Sequence, residues 1–222
     1  MDFQNDRITI AVSKGRISQS VQPLLEAAGV GPLSDMYKSR SLVFETHTPN
    51  VELIVVRSTD VPTYVRQGGA DLGIVGKDVL LELDGEGYYE LVDLCVSRCE
   101  LVLAEKQNMD ERSQIAERKA RIATKYANTT RRHFARKGVY VEVIKLYGSV
   151  ELAPLCDMAD RVVDLSQSGE TLRSNGLKKV ETIASISARL IANKASMRLK
   201  EMALKSIARN LESAAKEQFS GA

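Results

Sequence analysis

Short β-branched runs that each empty into a helical pattern recur along this chain, and that alternation constrains its fold more than any other feature. Ile8-Thr9-Ile10-Ala11-Val12 leads to a helix near Ile17 to Ala28, Val51 to Val56 to a helix near Val61 to Gln67, and Leu72 to Val75 to a helix from Lys77. Strand followed by helix, repeated, gives an α/β protein with a mostly parallel, helix-covered sheet. Tyr88 to Cys95 and Glu100 to Ala104 then read as two strands with Ser97-Arg98 between them, a crossing into a second domain where the pattern restarts. There Arg121 to Thr124, Val139 to Lys145 and Val162 to Leu165 are strand-like, with helices expected near Asp110 to Lys119, Thr129 to Lys137 and Val150 to Met158. Ala184, Ile186, Ala188, Leu190 and Ala192 alternate with Ser185, Ser187 and Arg189 as in a strand, although the alanine content also permits helix. Read as a strand, it is one long return to the first domain. A single helix from Ala195 to about Gln218 follows, with Leu199, Met202, Ile207 and Leu211 on or near one side. The expected division is 1–93 with 182–222 as a discontinuous domain I, and 94–181 as domain II.

Two strand ends suit an anion. Arg161-Val162-Val163-Asp164-Leu165 runs into Ser168-Gly169-Glu170-Thr171-Leu172, a hydroxyl-rich turn that opens a helix. Gly169 can take a left-handed backbone, Ser168 and Thr171 add hydroxyls to the free NH groups of the helix start, and Asp164 sits where a ribose hydroxyl or a magnesium ion is held. Ser and Thr also cap helices for purely structural reasons. The second end is Ser13-Lys14-Gly15-Arg16, where two cations flank a glycine at the carboxyl end of the first strand. In an open α/β sheet that edge is where ligands bind. A bland reading, in which both cations only keep a loop soluble, stands beside it.

Five segments in order, Ile8 to Arg16, Ala70 to Asp78, Arg121 to Tyr126, Gly148 to Pro154 and Asp164 to Leu177, resemble ATP phosphoribosyltransferase over nearly the whole chain. The resemblance implies two α/β domains with a central cleft, folded like the type II periplasmic binding proteins. It implies transfer of the 5-phosphoribosyl group from phosphoribosyl pyrophosphate to N1 of ATP, with release of pyrophosphate, as the first step of histidine biosynthesis, and a requirement for Mg2+. The chain is similar to the short form of the family, whose catalytic subunit works with a separate histidyl-tRNA synthetase-like regulatory subunit. A homodimer within a hetero-oligomer is implied by that likeness.

The same resemblance assigns residues. Lys14 and Arg16 are the expected contacts to the leaving pyrophosphate, and Arg40 matches a second arginine near the triphosphate or the leaving group, with a solvated surface arginine as its plain alternative. Ser168, Gly169, Glu170 and Thr171 are expected on the 5-phosphate, with Asp164 and Glu151 near the hydroxyls or the magnesium, which is held mainly through substrate. Glu170 departs from the Thr or Ala often found there. It is expected to point outward and offer only its NH, with Arg173 balancing its charge. Glu151 would equally serve as an early-helix acid. Asp71, Gly73 and Gly76 are expected to line the nucleotide side, although Asp71 would also make a turn cap, and Lys125 is a candidate for a nucleotide phosphate. No general base stands out, and N1 of adenine attacks with its own lone pair.

Composition narrows the classes. At 222 residues the chain has ample length for a buried core, and a formal charge of +2 gives no field for nucleic acid. Cys95, Cys99 and Cys156 lack paired metal-site spacing, and His47 and His133 lie far apart, so neither a disulfide framework nor a structural metal is expected. Cys95 is expected as a small core residue and Cys99 near the domain crossing. The first six residues lack the pattern of a secretion signal, and no apolar run approaches membrane-spanning length, so a cytoplasmic protein is expected. The rival classes are a solute-binding or sensory module, against which the missing secretion signal counts, and a regulatory protein that binds nucleotides without turnover.

Overall fold

The computed structural model describes residues 7–83, 85–107 and 119–220. In chain order it contains β1 (Ile8–Ser13), α1 (Arg16–Ala27), β2 (Val43–Glu45), β3 (Val51–Val56), α2 (Val61–Arg66), β4 (Leu72–Gly76), α3 (Lys77–Glu82) and β5 (Tyr88–Asp93). Next come β6 (Cys99–Lys106), β7 (Ala120–Thr124), α4 (Ala127–Arg136), β8 (Val141–Lys145), α5 (Leu152–Leu155), β9 (Arg161–Ser166), α6 (Glu170–Ser174) and β10 (Leu177–Ile186). The chain closes with β11 (Ala188–Asn193), α7 (Lys194–Leu199) and α8 (Glu201–Ser220). Its contacts divide it into unit 1, Met1–Leu80 with Asp84–Ser97 and Ser187–Ala222, and unit 2, Leu81–Leu83 with Arg98–Ile186.

Unit 1 holds a six-stranded sheet in the order β2-β3-β1-β4-β11-β5. β1 lies between β3 and β4 and is parallel to both, while β11 runs antiparallel to β4 and β5. Alternation along β1 explains why the sheet is covered on both faces: Ile8, Ile10 and Val12 enter a core with Leu24 and Leu25 of α1 and Leu204 and Leu211 of α8. Ala11 faces the other way, into a core with Val61 and Val65 of α2 and Ile191 of β11. Unit 2 repeats the plan with a five-stranded sheet, β10-β6-β9-β7-β8, in which β7 is parallel to β8 and β9. In β6, Leu101 and Leu103 join Ile122, Phe134 and Val163 on one face, whereas Val102 and Ala104 join Val162, Leu172 and Leu177 on the other.

Several elements differ from the sequence reading. The long return strand is two strands: β10 pairs with β6 in unit 2, and β11 pairs with β4 and β5 in unit 1, with Ser187 between them. The alternation runs unbroken because each half turns one row of side chains to an apolar cluster, Ile186 in unit 2 and Ala188, Leu190 and Ala192 in unit 1, and side-chain period carries no information on which sheet a strand joins. The crossings accordingly fall at 97/98 and 186/187. Only Leu152–Leu155 of the expected 150–158 helix is helical, and the short edge strand β2 had no alternating run to announce it. The final helix breaks at Lys200, which leaves Leu199 and Met202 exposed while Ile207 and Leu211 are buried. The helix expected near Asp110 to Lys119 lies outside the described residues. Cys95 and Cys99 are half-buried and Cys156 is exposed, and Cys95 has φ 56° at the crossing rather than a core position.

In unit 1 the two crossing segments are stitched together. Leu94 N donates to Ala188 O at 3.0 Å and Ala188 N to Val96 O at 3.0 Å. Asp93 accepts from Ser187 Oγ at 2.7 Å and Cys95 N at 2.8 Å and pairs with Arg189 Nη2 at 2.8 Å. Burial pushes this carboxyl up, but the Ser187 and Cys95 hydrogen bonds and the Arg189 charge outweigh it and hold it below its ordinary value. A depressed carboxylate contributes stability that is present above the unfolded-state value and lost as pH falls through the folded-state one. The stability gap between the native chain and Asp93→Asn should therefore be constant above about pH 5 and close below about pH 4. Urea unfolding across that range checks this; a gap independent of pH would contradict it.

Candidate active site

In parallel strands buried on both faces, side chains along the strand meet apolar layers and charge collects at the ends. In unit 1, β1 ends on buried Ser13 and delivers exposed Lys14, Gly15 and Arg16. Gly15 has φ 116° and ψ −153°, a conformation that L side chains rarely adopt, and a Cβ there would meet nothing within 4 Å. The glycine turns the chain into α1 and leaves open space above the turn. α1 has no side-chain cap and no acidic residue in its first turn, so the partial positive end of a 12-residue helix stays uncovered between two cations.

The loop carrying Arg40 is held beside this turn. Lys14 Nζ donates to Ser39 O at 3.4 Å, and Tyr37 Oη donates to Ser18 Oγ of α1 at 3.0 Å. Asp35 closes the loop by accepting from the Tyr37 and Lys38 amides, and these bonds, the Tyr37 one foremost, pull its carboxyl below the ordinary range. Arg40 is exposed at the loop's end.

The strand register brings up residues that the sequence did not single out. Ser13 pairs with Val56 in β3, so one step further sets Lys14 level with Arg57, and β4, parallel to β1, ends at Gly76 on the same edge. A cavity of about 590 Å³ opens there, lined by Lys14, Val43, Val56, Arg57, Asp60 and Tyr64. It falls in the range of small-molecule sites, apolar along the strands and charged at one end. Arg57 was findable by the rule that picked Lys14, a cation directly after a buried strand.

Two expected residues do not join this edge. Asp71 precedes β4 at the opposite end of the sheet, where it is 8% exposed, accepts from Thr9 N at 2.9 Å and pairs with Lys200 Nζ at 3.0 Å. Lys200 also donates to Arg7 O, and this pinning coincides with the break between α7 and α8. Gly73 lies inside β4, where a Cβ would sit 2.7 Å from Val61 Cγ1 and Val65 Cγ2, so the glycine lets α2 pack on the sheet. Gly76 does close β4 at the ligand edge, with the Asp78 side chain folded over it.

In unit 2 the carboxyl ends of β7, β8 and β9 share one edge. Thr124 pairs with Val163, so exposed Lys125 is level with Asp164, which is half-buried and accepts from Leu165 N at 2.8 Å. The loop leaving β8 carries half-buried Glu151 at the start of α5, after Ser149 with φ 47°. The loop leaving β9 carries Ser168, Gly169, Glu170 and Thr171. Gly169 has φ 74° at the start of α6, and Glu170 N donates to Ser168 Oγ at 3.3 Å. Glu170 is exposed, and an Arg173 Nη1 lies 3.0 Å from where a Gly169 Cβ would be, so a cation overhangs the turn. Lys125, Glu151, Asp164 and the 168–171 turn thus belong to one edge of one sheet.

The architecture and these loops define an α/β protein of the type II periplasmic-binding-protein class with phosphate-suited turns. Likeness to the periplasmic aliphatic sulphonate binding protein SsuA of Escherichia coli shows the fold alone, at 12% identity, TM-score 0.62, and coverage of 97% of this chain and 75% of that one. Closer matches give the family. The ATP phosphoribosyltransferase family model matches residues 57–213. The ATP phosphoribosyltransferase of Nitrosomonas eutropha is 54% identical over 194 residues, 87% of this chain and 90% of that protein. That of Janthinobacterium sp. (strain Marseille) is 48% identical over 217 residues, covering 97% and 99%. The solved ATP phosphoribosyl transferase (HisG:HisZ) complex from Thermotoga maritima contains a chain with TM-score 0.80 and 31% identity, covering 95% of this chain and 98% of that one. The chain belongs to the ATP phosphoribosyltransferase family.

If Asp71 serves structure and not nucleotide, Lys200→Met should lower unfolding stability by roughly 3 kcal/mol, because it strands a mostly buried carboxylate. Turnover and the KM for ATP should stay unchanged. Steady-state kinetics beside denaturant unfolding decide this, and a raised KM with intact stability would return Asp71 to the nucleotide site.

Proposed function

We propose that this chain is the catalytic subunit of a short-form ATP phosphoribosyltransferase, acting with a HisZ-type regulatory subunit that resembles histidyl-tRNA synthetase. Supporting the partner is the extent of likeness to a chain solved as part of a HisG:HisZ complex. The reaction joins N1 of ATP to C1 of phosphoribosyl pyrophosphate while the bond from C1 to the pyrophosphate oxygen breaks, and pyrophosphate leaves with the electron pair. The observation that carries the assignment of roles is the open, glycine-only turn between Lys14 and Arg16 at the uncapped start of α1.

Lys14, Arg16 and Arg40 hold the leaving pyrophosphate. Their charges, with the helix start, favour the extra negative charge that builds there in the transition state. Ser168, Gly169, Glu170 and Thr171 hold the 5-phosphate through backbone NH groups and hydroxyls, and Arg173 offsets Glu170. Asp164 and Glu151 face the ribose hydroxyls and steady the ring carbon as it turns positive. Lys125, Gly76 and the cavity flanked by Arg57 and Tyr64 serve the nucleotide. Asp71 and Gly73 hold the scaffold. No side chain needs to take a proton from N1, so positioning bears most of the rate enhancement.

Among the described residues no cluster of three His, Cys, Asp or Glu side chains forms a cage for a metal. Asp164 and Glu151 are the half-buried carboxylates on the unit 2 edge, a donor set that suits Mg2+ brought in on substrate phosphates. A Mg2+ ion held there would supply charge neutralisation to the substrate phosphates. Among the described residues no helix is long and apolar enough to cross a membrane, and the pathway's soluble substrates fit a cytoplasmic enzyme.

Arg16→Ala should lower kcat by about 10²-fold with a smaller change in KM, since its interaction strengthens as the leaving group gains charge. Pyrophosphate release from ATP, phosphoribosyl pyrophosphate and Mg2+ measures this, and unchanged kcat would refute it. Gly169→Val places a β-branched residue at φ 74°, so the turn must reshape. Affinity for phosphoribosyl pyrophosphate should fall about fivefold or more, as roughly one to three kcal/mol of strain would require, with the circular dichroism spectrum retained. Titration calorimetry showing native affinity would rule the cradle out.

A further inference from the structure

The start of α4 is capped from outside its own segment. Tyr126, at its N-cap, makes no side-chain cap bond, and the first turn has no acidic residue. Both are supplied by Glu82, the last residue of α3. Asn128 N donates to Glu82 Oε1 at 2.9 Å, and Thr129 N and Thr129 Oγ1 donate to Oε2 at 2.9 and 3.0 Å. The bond pattern is reciprocal. Asn128 Nδ2 donates to Glu82 O at 3.2 Å and Arg132 Nη2 donates to Leu81 O, so side chains of α4 cover the last carbonyls of α3 while Glu82 covers the first amides of α4. Leu81 packs with Ile122, Tyr126 and Phe134, and Leu81–Leu83 group with unit 2 although α3 begins in unit 1.

What this cap holds in place is the turn Thr124-Lys125-Tyr126. Within the turn Tyr126 N donates to Thr124 Oγ1 at 2.8 Å, and the chain runs straight from the end of β7 into the capped amides. A carboxylate taking three donors at a helix start fixes the direction in which the helix leaves the strand, and hence where the exposed Lys125 ammonium stands on the ligand edge.

We propose that Glu82 is a positioning residue that sets Lys125 for the nucleotide by capping α4 from α3; the proposal rests on the assignment of Lys125 to a nucleotide phosphate. A purely structural cap would change stability and leave substrate recognition alone. The positioning role predicts a split between substrates: Glu82→Ala raises the KM for ATP about fivefold or more while the KM for phosphoribosyl pyrophosphate stays within about twofold. Lys125→Ala raises the KM for ATP similarly. Adding it to Glu82→Ala raises KM by less than about twofold more, because the misplaced ammonium has little left to lose. Glu82→Gln keeps one acceptor oxygen and should fall between the native chain and Glu82→Ala, and it is the variant to read if Glu82→Ala does not fold.

The full-length chain is assayed in the assembly it forms, and amide hydrogen exchange over 127–130 is followed in the same variants. Faster exchange at Asn128 and Thr129, with the ATP-selective and non-additive KM change, supports the proposal. Unchanged exchange in Glu82→Gln would overturn the cap. Faster exchange with multiplicative effects of the two substitutions, or with equal changes in both KM values, would overturn the positioning role. A native KM for ATP in Lys125→Ala alone, with Glu82→Ala still exchanging faster, would show that the Lys125 assignment had failed while the cap stood, and would overturn this use of it.

Discussion

Burial of parallel strands on both faces is the constraint on which the rest of this molecule depends. A strand such as β1, with Ile10 and Ala11 both fully buried on opposite sides, leaves no place along its length for a charge. Charge is therefore displaced to the strand ends, and parallel neighbours bring those ends to one edge. Lys14, Arg57 and Gly76 arrive together because β1, β3 and β4 run side by side in fixed register. In unit 2 the same rule sets Lys125 level with Asp164. On both edges candidate ligand contacts such as Lys14, Arg57, Lys125 and Asp164 stand just past the buried stretch of a strand.

The opposite edge shows what the same chemistry does when it is spent on structure. Asp71 and Lys200 are ionised types too, yet they meet each other and the Thr9 amide across elements far apart in sequence, and they fasten the α7–α8 junction to the sheet. Glu82 and the first turn of α4 make a third such long-range fastening. A charged residue with a buried partner is thus a fastener, and one at the carboxyl edge beside open space is a candidate ligand contact. Position in the sheet separates the two roles where residue type does not.

The strand-to-helix turns of the candidate site were legible in the chain because each depends on order along one strand and the turn after it. Gly169 was expected to take a left-handed backbone from its place between a strand and a helix, and it has φ 74°; Gly15, read only as a glycine flanked by cations, has positive φ as well. Asp71 and Gly73 stand away from that edge for a related reason. Asp71 precedes and Gly73 lies within the apolar run that Gly76 closes, and local pattern does not tell the entering end of a strand from the leaving end. Arg57 was passed over although its context matches that of Lys14. Glu82 had no local signal, since the amides that it caps lie 46 and 47 residues away.

The sequence by itself determined the strand and helix alternation, the faces that each element buries, and the turns where glycine and hydroxyl residues open a helix to an anion, because side-chain period and backbone preference act over a few residues. Tertiary structure alone decided that β10 and β11 belong to different sheets, that the last helix breaks at Lys200, and that Glu82 caps a helix it does not precede. Those outcomes are choices among partners. Hydrogen bonds and buried charges are satisfied by whatever group the finished fold brings within about 3 Å, and chain order does not record which one that is.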